Sequence, residues 1–450
     1  MDINSFVIGY AKGKANGGGA PVEKDVNFYD YDGTLLHSFT LAEAQAMTEL
    51  PQLPTQPGLI CQEWNWTLED IKAENNKVNV GATYITDDGK TRLYISILVD
   101  GRMDIPLHFT QTVSNGVTID WGDGSAPQTV SGEGKVIATH TYANIGDYVI
   151  SMEAIEGSTY GLGHGEYDRI SVFGSNYGGV QPIYNNMLKK VDIGNNIPTL
   201  VNGALLNCYS LESVVIPKEV TSIGTFVLYS CYSLKSVVIP SAVTILDNNT
   251  FDYCYSLESV VMPKSVTKIG DNAFQYCYSL KSVVIPSAVT SVGSGAFQHC
   301  YSLKNIVMTK NVTSLGSYAF NSCYSIESIV FPKGITTISS YTCQVMRCLK
   351  SVIIPEGVKT IAQNAFEACI QLTSIVIPQS VTKIEMYAFR YNIGLAFIDF
   401  TSHTSVPTLS ASTAFGNMAD DFEIRVPAAL YNKWIAATNW SSLASKIVAV

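Results

Sequence analysis

Charge is sparse in this sequence. Only 15% of its residues are Asp, Glu, Lys or Arg, and 38 acidic against 28 basic side chains leave a net charge of −10. A chain of that sign has no electrostatic grip on a phosphate backbone, so no nucleic-acid partner is expected. No apolar run reaches the ~18 residues of a membrane-crossing helix, so no membrane insertion is expected either. Met1 to Ala20 lacks a secretory apolar core: Phe6-Val7-Ile8-Gly9-Tyr10 is too short, and Lys12 and Lys14 follow it. With no C-terminal anchor pattern either, the expectation is a chain made and folded in a reducing cytoplasm. The six histidines (His37, His108, His140, His164, His299 and His403) are scattered, with no H-E-x-x-H. No G-x-S-x-G elbow or phosphate-binding loop occurs. Cysteine is never paired as C-x-x-C, which leaves a zinc site little support. The chain is therefore read as no enzyme, and no cofactor or metal is expected.

What is present is a period. Cys208, Cys231, Cys254, Cys277, Cys300 and Cys323 recur every 23 residues; Met346, Cys369 and Asn392 take the next slots. A fixed period of this length is the signature of a solenoid, in which each unit is one coil stacked on the last. Leu or Ile stands three positions after each slot, from Leu211 to Leu395. Pro stands nine after, at Pro217, Pro240, Pro263, Pro286, Pro332, Pro355 and Pro378. Phe stands three before, at Phe251, Phe274, Phe297, Phe320, Phe366 and Phe389. Within a coil Leu211, Val214 and Ile216 point inward and Val215 outward, since strand side chains alternate. Proline ends the strand, where a missing N–H does least harm. Parallel stacking puts Glu212, Lys235, Glu258 and Lys281 side by side with alternating sign. Asn185 to Leu200 fits a degenerate first coil. Trp434, Trp440 and Leu443 are expected to close the last one.

The ladder cysteines read as buried free thiols packing as small apolar groups. Disulfides between neighbouring coils are the competing reading, on Cα distance alone. Two outward rows are candidate binding surfaces. The first is Tyr209, Tyr232, Tyr255, Tyr278, Tyr301 and Tyr324, each directly after a ladder cysteine, in an exposed stripe about 25 Å long. Tyrosine supplies large contact area at low entropy cost, and such a row suits sugar rings or extended partners. The same row also reads as a self-stacking ladder that only stiffens the array. The second is a concave apolar strip through Val215, Val238, Val261, Val284, Val307, Val330, Ile353 and Val376. It is expected to be an interaction surface or to lie under a neighbouring subunit, which leaves a homo-oligomer open. A row kept for β-propensity alone accounts for it as well.

The repeat units, with L-x-x-I-x-I-P, V-x-x-I-G and A-F-x-x-C, resemble the BspA-like leucine-rich repeats over Asn185 to Met418. That resemblance implies a right-handed solenoid of about ten coils with a concave sheet. Upstream, Trp121-Gly122-Asp123-Gly124-Ser125, His140-Thr141-Tyr142 and Gly146-Asp147-Tyr148-Val149-Ile150 resemble the PKD-type immunoglobulin-like β-sandwich. The aspartates and glycines there make a tight turn, with Ca²⁺ binding as the lesser reading. Asp30-Tyr31-Asp32-Gly33-Thr34 matches the D-x-D-G-T signature of haloacid-dehalogenase phosphatases. The residues after it read as hairpins and tryptophans, not the βα scaffold those enzymes need, so a polar turn is preferred and the phosphatase is kept as an alternative.

The expected fold class is multidomain and mainly β. The divisions are a tail (1–26), a small α+β domain (27–91), a PKD-like β-sandwich with a Gly-rich connection (92–184), the repeats (185–417) and a cap (418–450). The small domain should hold a hairpin at Asp32-Gly33, helices near Leu41–Leu50 and Leu68–Glu74, and a second hairpin at Asp88-Gly89. The whole arrangement resembles minor structural or tail-fibre proteins of phages and prophages of gut bacteria. Three parts carry this: Tyr10-Ala11-Lys12-Gly13-Lys14, the Val26–Thr34 and Trp64–Leu68 segments, and the Trp121–Ser125 domain before the repeats. That resemblance implies a virion-associated protein made in the host cytoplasm. It would meet other tail proteins through its N-terminus and a bacterial surface glycan or protein through the solenoid. A bacterial cell-surface or secreted adhesin of the same repeat class is the alternative.

Overall fold

The computed structural model describes residues 23–98, 103–112, 115–165, 169–174 and 184–450. The fold is mainly β and contains a C-terminal solenoid of about 11 turns with a 23-residue period. Most of the tail expected at 1–26 lies outside the described residues. Its end is already structured, because the Asp25 carbonyl accepts from Val78 N–H at 2.8 Å and Val26 opens the first strand.

The N-terminal unit is a four-stranded sheet. Its strands are β1 (Val26–Tyr29), β2 (Leu35–Phe39), β3 (Leu59–Trp64) and β4 (Val78–Thr86), in spatial order β2-β1-β4-β3. β1 and β2 form the hairpin expected at Asp32-Gly33, with Gly33 at φ +86°. Helix α1 (Leu41–Ala46) starts where Thr40 and Glu43 satisfy each other's backbone N–H groups in a capping box. Helix α2 (Leu68–Ala73) has Thr67 as its N-cap.

The next unit has two sheets. Its strands are β5 (Thr91–Ile97), β6 (Asp104–Gln111), β7 (Val117–Asp120), β8 (Gln128–Val130), β9 (Gly134–Thr141), β10 (Gly146–Ala154) and β11 (Tyr160–Leu162). β11-β6-β9 form one sheet. β5, β10, β7 and β8 form the other, which β12 (Leu188–Asp192) and the strand Ser213–Val215 extend. The hairpin expected at Asp88-Gly89 is corrected here. The turn exists, with Gly89 N–H bonded to Thr86 O at 3.2 Å, but β4 and β5 leave it into different sheets. Gly161 and Leu162, at the start of the glycine-rich stretch, are strand residues paired with β6.

The WGDGS segment is a turn, as read. Gly122 sits at φ +76°, where an added Cβ would lie 2.4 Å from Val149 O. Trp121 is buried, stacks on His140 at 4.9 Å, and its carbonyl accepts the Tyr142 hydroxyl at 2.8 Å. Asp123 is occupied by the turn itself: it accepts from Ser125 N–H at 3.0 Å and meets His140 Nε2 at 2.7 Å. The Ser125 hydroxyl first, and His140 after it, hold its carboxyl down to about 2.

β12 joins the parts. It runs antiparallel to β5 and parallel to Ser213–Val215, so the two-sheet unit flows into the first coil without a gap. One hydrophobic core follows, running from Leu93 through every coil to Ile447. In the solenoid, short strands such as Ser236–Val238 and Ser259–Val261 pair in parallel and in register. At the C-terminal end Glu423–Val426 pairs with Phe397–Asp399 and with Ile447–Ala449, while Trp434 and Trp440 are buried over the last coils.

Candidate recognition surfaces

The ladder cysteines face inward and all ten cysteines are free. The Sγ of Cys231, Cys254, Cys277, Cys300 and Cys323 each lies 3.1–3.3 Å from a carbonyl oxygen of the preceding coil. Asn392, in a cysteine slot, makes the same bond with its amide, to Phe366 O at 2.8 Å. Burial pushes the Cys208 and Cys369 thiols up to about 12 and raises the others too, so the ladder carries no thiolate nucleophile. Cys343, outside the cysteine slots, also belongs to the repeat pattern. It occupies the phenylalanine position of its coil, and Phe331 packs edge-on against Phe366 at 6.1 Å beside it. Counting three residues back from Met346 would have shown this.

The tyrosine row is half-buried, and its expected exposure is corrected. Tyr209, Tyr232, Tyr255, Tyr278, Tyr301 and Tyr324 stack at 4.6–4.8 Å with ring planes within 3–14° of parallel. Arg347 lies over the last ring, 4.9 Å from its centroid. Stacking uses the ring faces, so what the row offers outward is ring edges and hydroxyls, not flat platforms for sugars. A second row, not expected from the sequence, lies beside it. Tyr253, Tyr276 and His299 stack at 4.5–4.6 Å and meet the first row edge-on at 5.8–6.1 Å. Past Tyr324 the same position carries Arg347 and then the exposed Ile370 and Ile393. The expected charge ladder resolves into separate pairs, Glu212–Lys235, Glu258–Lys281 and Glu327–Lys350.

The concave strip is corrected most. Val238 and Val261 are 5% and 2% exposed, Val215 is buried and Val284 half-buried. The cover is the chain's own N-terminal sheet: Tyr29 and Leu35 pack on Val238 and Val261, and Gly81 lies directly over Val238. A strap from Gln62 to Glu74 runs along the rim of the face, coil by coil. Gln62 bonds Glu219 at 2.8 Å and Lys218 N–H at 2.9 Å. Asn65 donates to Ile239 O and Trp66 Nε1 to Met262 O, both at 2.9 Å. Glu63 accepts from Ser241 at 2.5 Å, Asp70 pairs with Lys264 at 2.9 Å, and Glu74 accepts from Ser287. Ser241, Lys264 and Ser287 hold equivalent positions in three successive coils. Beyond them the face is open. Val330, Ile353 and Val376 are 58%, 59% and 59% exposed.

The D-x-D-G-T segment does no visible chemistry. Asp30 is buried and accepts from the Tyr84 hydroxyl at 2.7 Å, Gln56 Nε2 at 2.5 Å and Tyr31 N–H at 2.8 Å. Burial raises its pKa. Asp32 caps the turn through Thr34 N–H at 2.9 Å. The segment joins two antiparallel strands, not a strand and a helix. Among the described residues no group of three or more His, Cys, Asp or Glu could hold a metal ion, and no helix is long and apolar enough to cross a membrane.

Residues 182–281 and 267–396 match the model of the BspA type Leucine rich repeat region, in six copies. No curated protein sequence matches the chain. Among solved structures, a leucine-rich repeat protein of T. pallidum is 25% identical over 43% of this chain and 86% of its own, with a TM-score of 0.33. One from Bacteroides ovatus is 18% identical over 60% of this chain and 97% of its own, at 0.26. A leucine-rich cell surface protein of Faecalibacterium prausnitzii is 24% identical over 57% of this chain and 93% of its own, at 0.29.

Proposed function

We propose that this chain, whose repeat region is of the BspA type, is a non-catalytic recognition protein that works at a surface. The observation that carries the reading is the open half of the concave face. Val330, Ile353 and Val376 stand exposed in a row, at the same position of three successive coils. Contiguous apolar surface rimmed by polar groups marks interaction sites. A solenoid suits the role because its repeats build an extended concave surface. The N-terminal units then act as anchor and spacer, with the two-sheet unit in the manner of a PKD domain. The stacked tyrosines stiffen the flank and offer a secondary row of hydroxyls.

Two settings fit: the surface of a bacterium, or a phage particle that meets a bacterial surface glycan or protein. Cell-binding assays with the full chain distinguish working surface from scaffold. We expect Val330→Asp with Ile353→Asp to weaken binding by about tenfold or more. Tyr255→Ala with Tyr278→Ala should leave binding within about twofold. The reverse pattern would move the site to the tyrosine flank, and insensitivity to both pairs would remove the solenoid from recognition.

A further inference from the structure

The docked N-terminal unit is a template for what this face accepts. On the covered coils three kinds of contact recur. Acidic side chains reach the rim position, as Glu63 does at Ser241, Asp70 at Lys264 and Glu74 at Ser287. A tryptophan N–H and an asparagine amide take the carbonyls of Met262 and Ile239, at 2.9 Å each. Apolar groups cover the valines, as Tyr29 and Leu35 cover Val238 and Val261.

The strap stops at Glu74, on the coil of Ser287. The next two rim positions in register are Lys310 and Lys333, both exposed. Lys304, also exposed, stands on the same coil as Lys310. Among the described residues neither Lys310 nor Lys333 has an ion-pair partner, although the chain as a whole carries −10, whereas Lys304 acts on Glu327 of the next coil. The apolar row continues beside them as Val330, Ile353 and Val376. So the apolar element of the template continues to Val376, while the cationic one is strengthened at Lys310 and Lys333 and ends there, since the next two rim positions are Glu356 and Gln379.

We infer that the open half of the concave face binds a partner protein through an acidic segment bearing aromatic residues, running along the coils in continuation of the chain's own Gln62–Glu74 strap. This rests on the recognition function proposed above and names its partner class. Acidic side chains of the partner pair with Lys310 and Lys333, and its aromatic or aliphatic side chains cover Val330 and Ile353. Rim pairs of this kind set orientation and partner choice, while the apolar contacts supply most of the affinity.

The test uses the full chain as bait for a displayed library of random 16-residue peptides. We expect enriched peptides rich in Asp and Glu with Trp, Tyr or Phe. Their binding should fall about tenfold or more in Lys310→Glu with Lys333→Glu, and in Val330→Asp with Ile353→Asp. The charge-reversed protein should instead enrich basic peptides, and its far-ultraviolet circular dichroism and urea midpoint should match those of the parent. Enrichment of neutral or basic peptides by the parent, equal binding to the charge-reversed protein, or no enrichment would each overturn the assignment. So would a concentration-dependent dimer abolished by Val330→Asp, which would make a second copy the occupant. Cell binding that survives the lysine reversal but is lost in the Val330/Ile353 pair would overturn the acidic partner while leaving the proposed function standing.

Discussion

At the scale of single residues, the most informative group is Asp252. It stands two positions before its ladder cysteine, where later coils carry Gln275, Gln298, Asn321, Gln344 and Glu367. Those side chains form a directional chain, each amide donating to the next at 2.7–3.2 Å and the last reaching Glu367, which pairs with Arg390. Asp252 heads this row. One oxygen accepts from Asn249 at 2.8 Å, and the other is buried with no hydrogen-bond partner among the described residues. Desolvation raises its pKa to about 7, against the opposing bond from Asn249. Between about pH 4 and pH 7 the folded state therefore binds more protons at this site than the unfolded chain. Stability falls as pH rises through that window, and the full cost, on the order of 3–4 kcal/mol, is present above it. Asp252→Asn gives this coil the amide that Asn321 already supplies in another. Urea titration should show the variant more stable than the parent at pH 8, indistinguishable below pH 4, and flatter in between. A parent-like slope in the variant would refute this account of Asp252.

At the scale of elements, the close fit of the N-terminal sheet to the solenoid depends on Gly81 in β4. A Cβ added there would lie 2.5 Å from one methyl carbon of Val238 and 2.8 Å from the other. Gly81→Ala should therefore cost about 1–3 kcal/mol by overpacking. Limited proteolysis within residues 23–88 should accelerate, and emission from Trp66 should shift toward that of an exposed indole. Val238→Ala in the same chain should recover part of the loss, because it removes the obstructing methyls. A neutral Gly81→Ala would mean that the sheet does not rest on Val238. The same residue explains what could be read in advance. The 23-residue period reports contacts between neighbouring coils, so leucine, proline, phenylalanine and cysteine positions, the register and the capping tryptophans were all legible. Docking joins residues far apart in sequence, as Trp66 joins Met262, and leaves no period. Its local traces were a glycine inside a strand, a sign of close backbone approach, and polar residues at Gln62, Glu63 and Asn65 in an otherwise apolar context. The tyrosines show the opposite case. Outward direction was readable from register, but a coil spacing near 4.7 Å is also the stacking distance of aromatic rings, so the rings spend their faces on each other.

At the scale of the whole molecule, the solenoid is not an independent module. A repeat array is stabilised by coil-on-coil interfaces and needs both ends closed. The C-terminal end is closed by its own cap, with Trp434 and Trp440 buried against Phe400 at 5.0 Å and 5.7 Å. The other end is closed by borrowed structure: β12 takes its second strand partner from β5, and Val215, Val238 and Val261 take their cover from the N-terminal sheet. A fragment of residues 185–450 would lose both at once. It would expose an unpaired edge at Leu188–Asp192 and an apolar row continuous with Val330, Ile353 and Val376. Exposed strand edges and long apolar rows promote association. Sedimentation should show this fragment self-associating at concentrations where the full chain stays in a single smaller form. Substituting Val238→Ser and Val261→Ser in the fragment should reduce the association, because the newly opened row drives it. A fragment that stays monodisperse and melts as cooperatively as the full chain would show that the array closes its own N-terminal end, and that the docked sheet serves only to narrow the face open to partners.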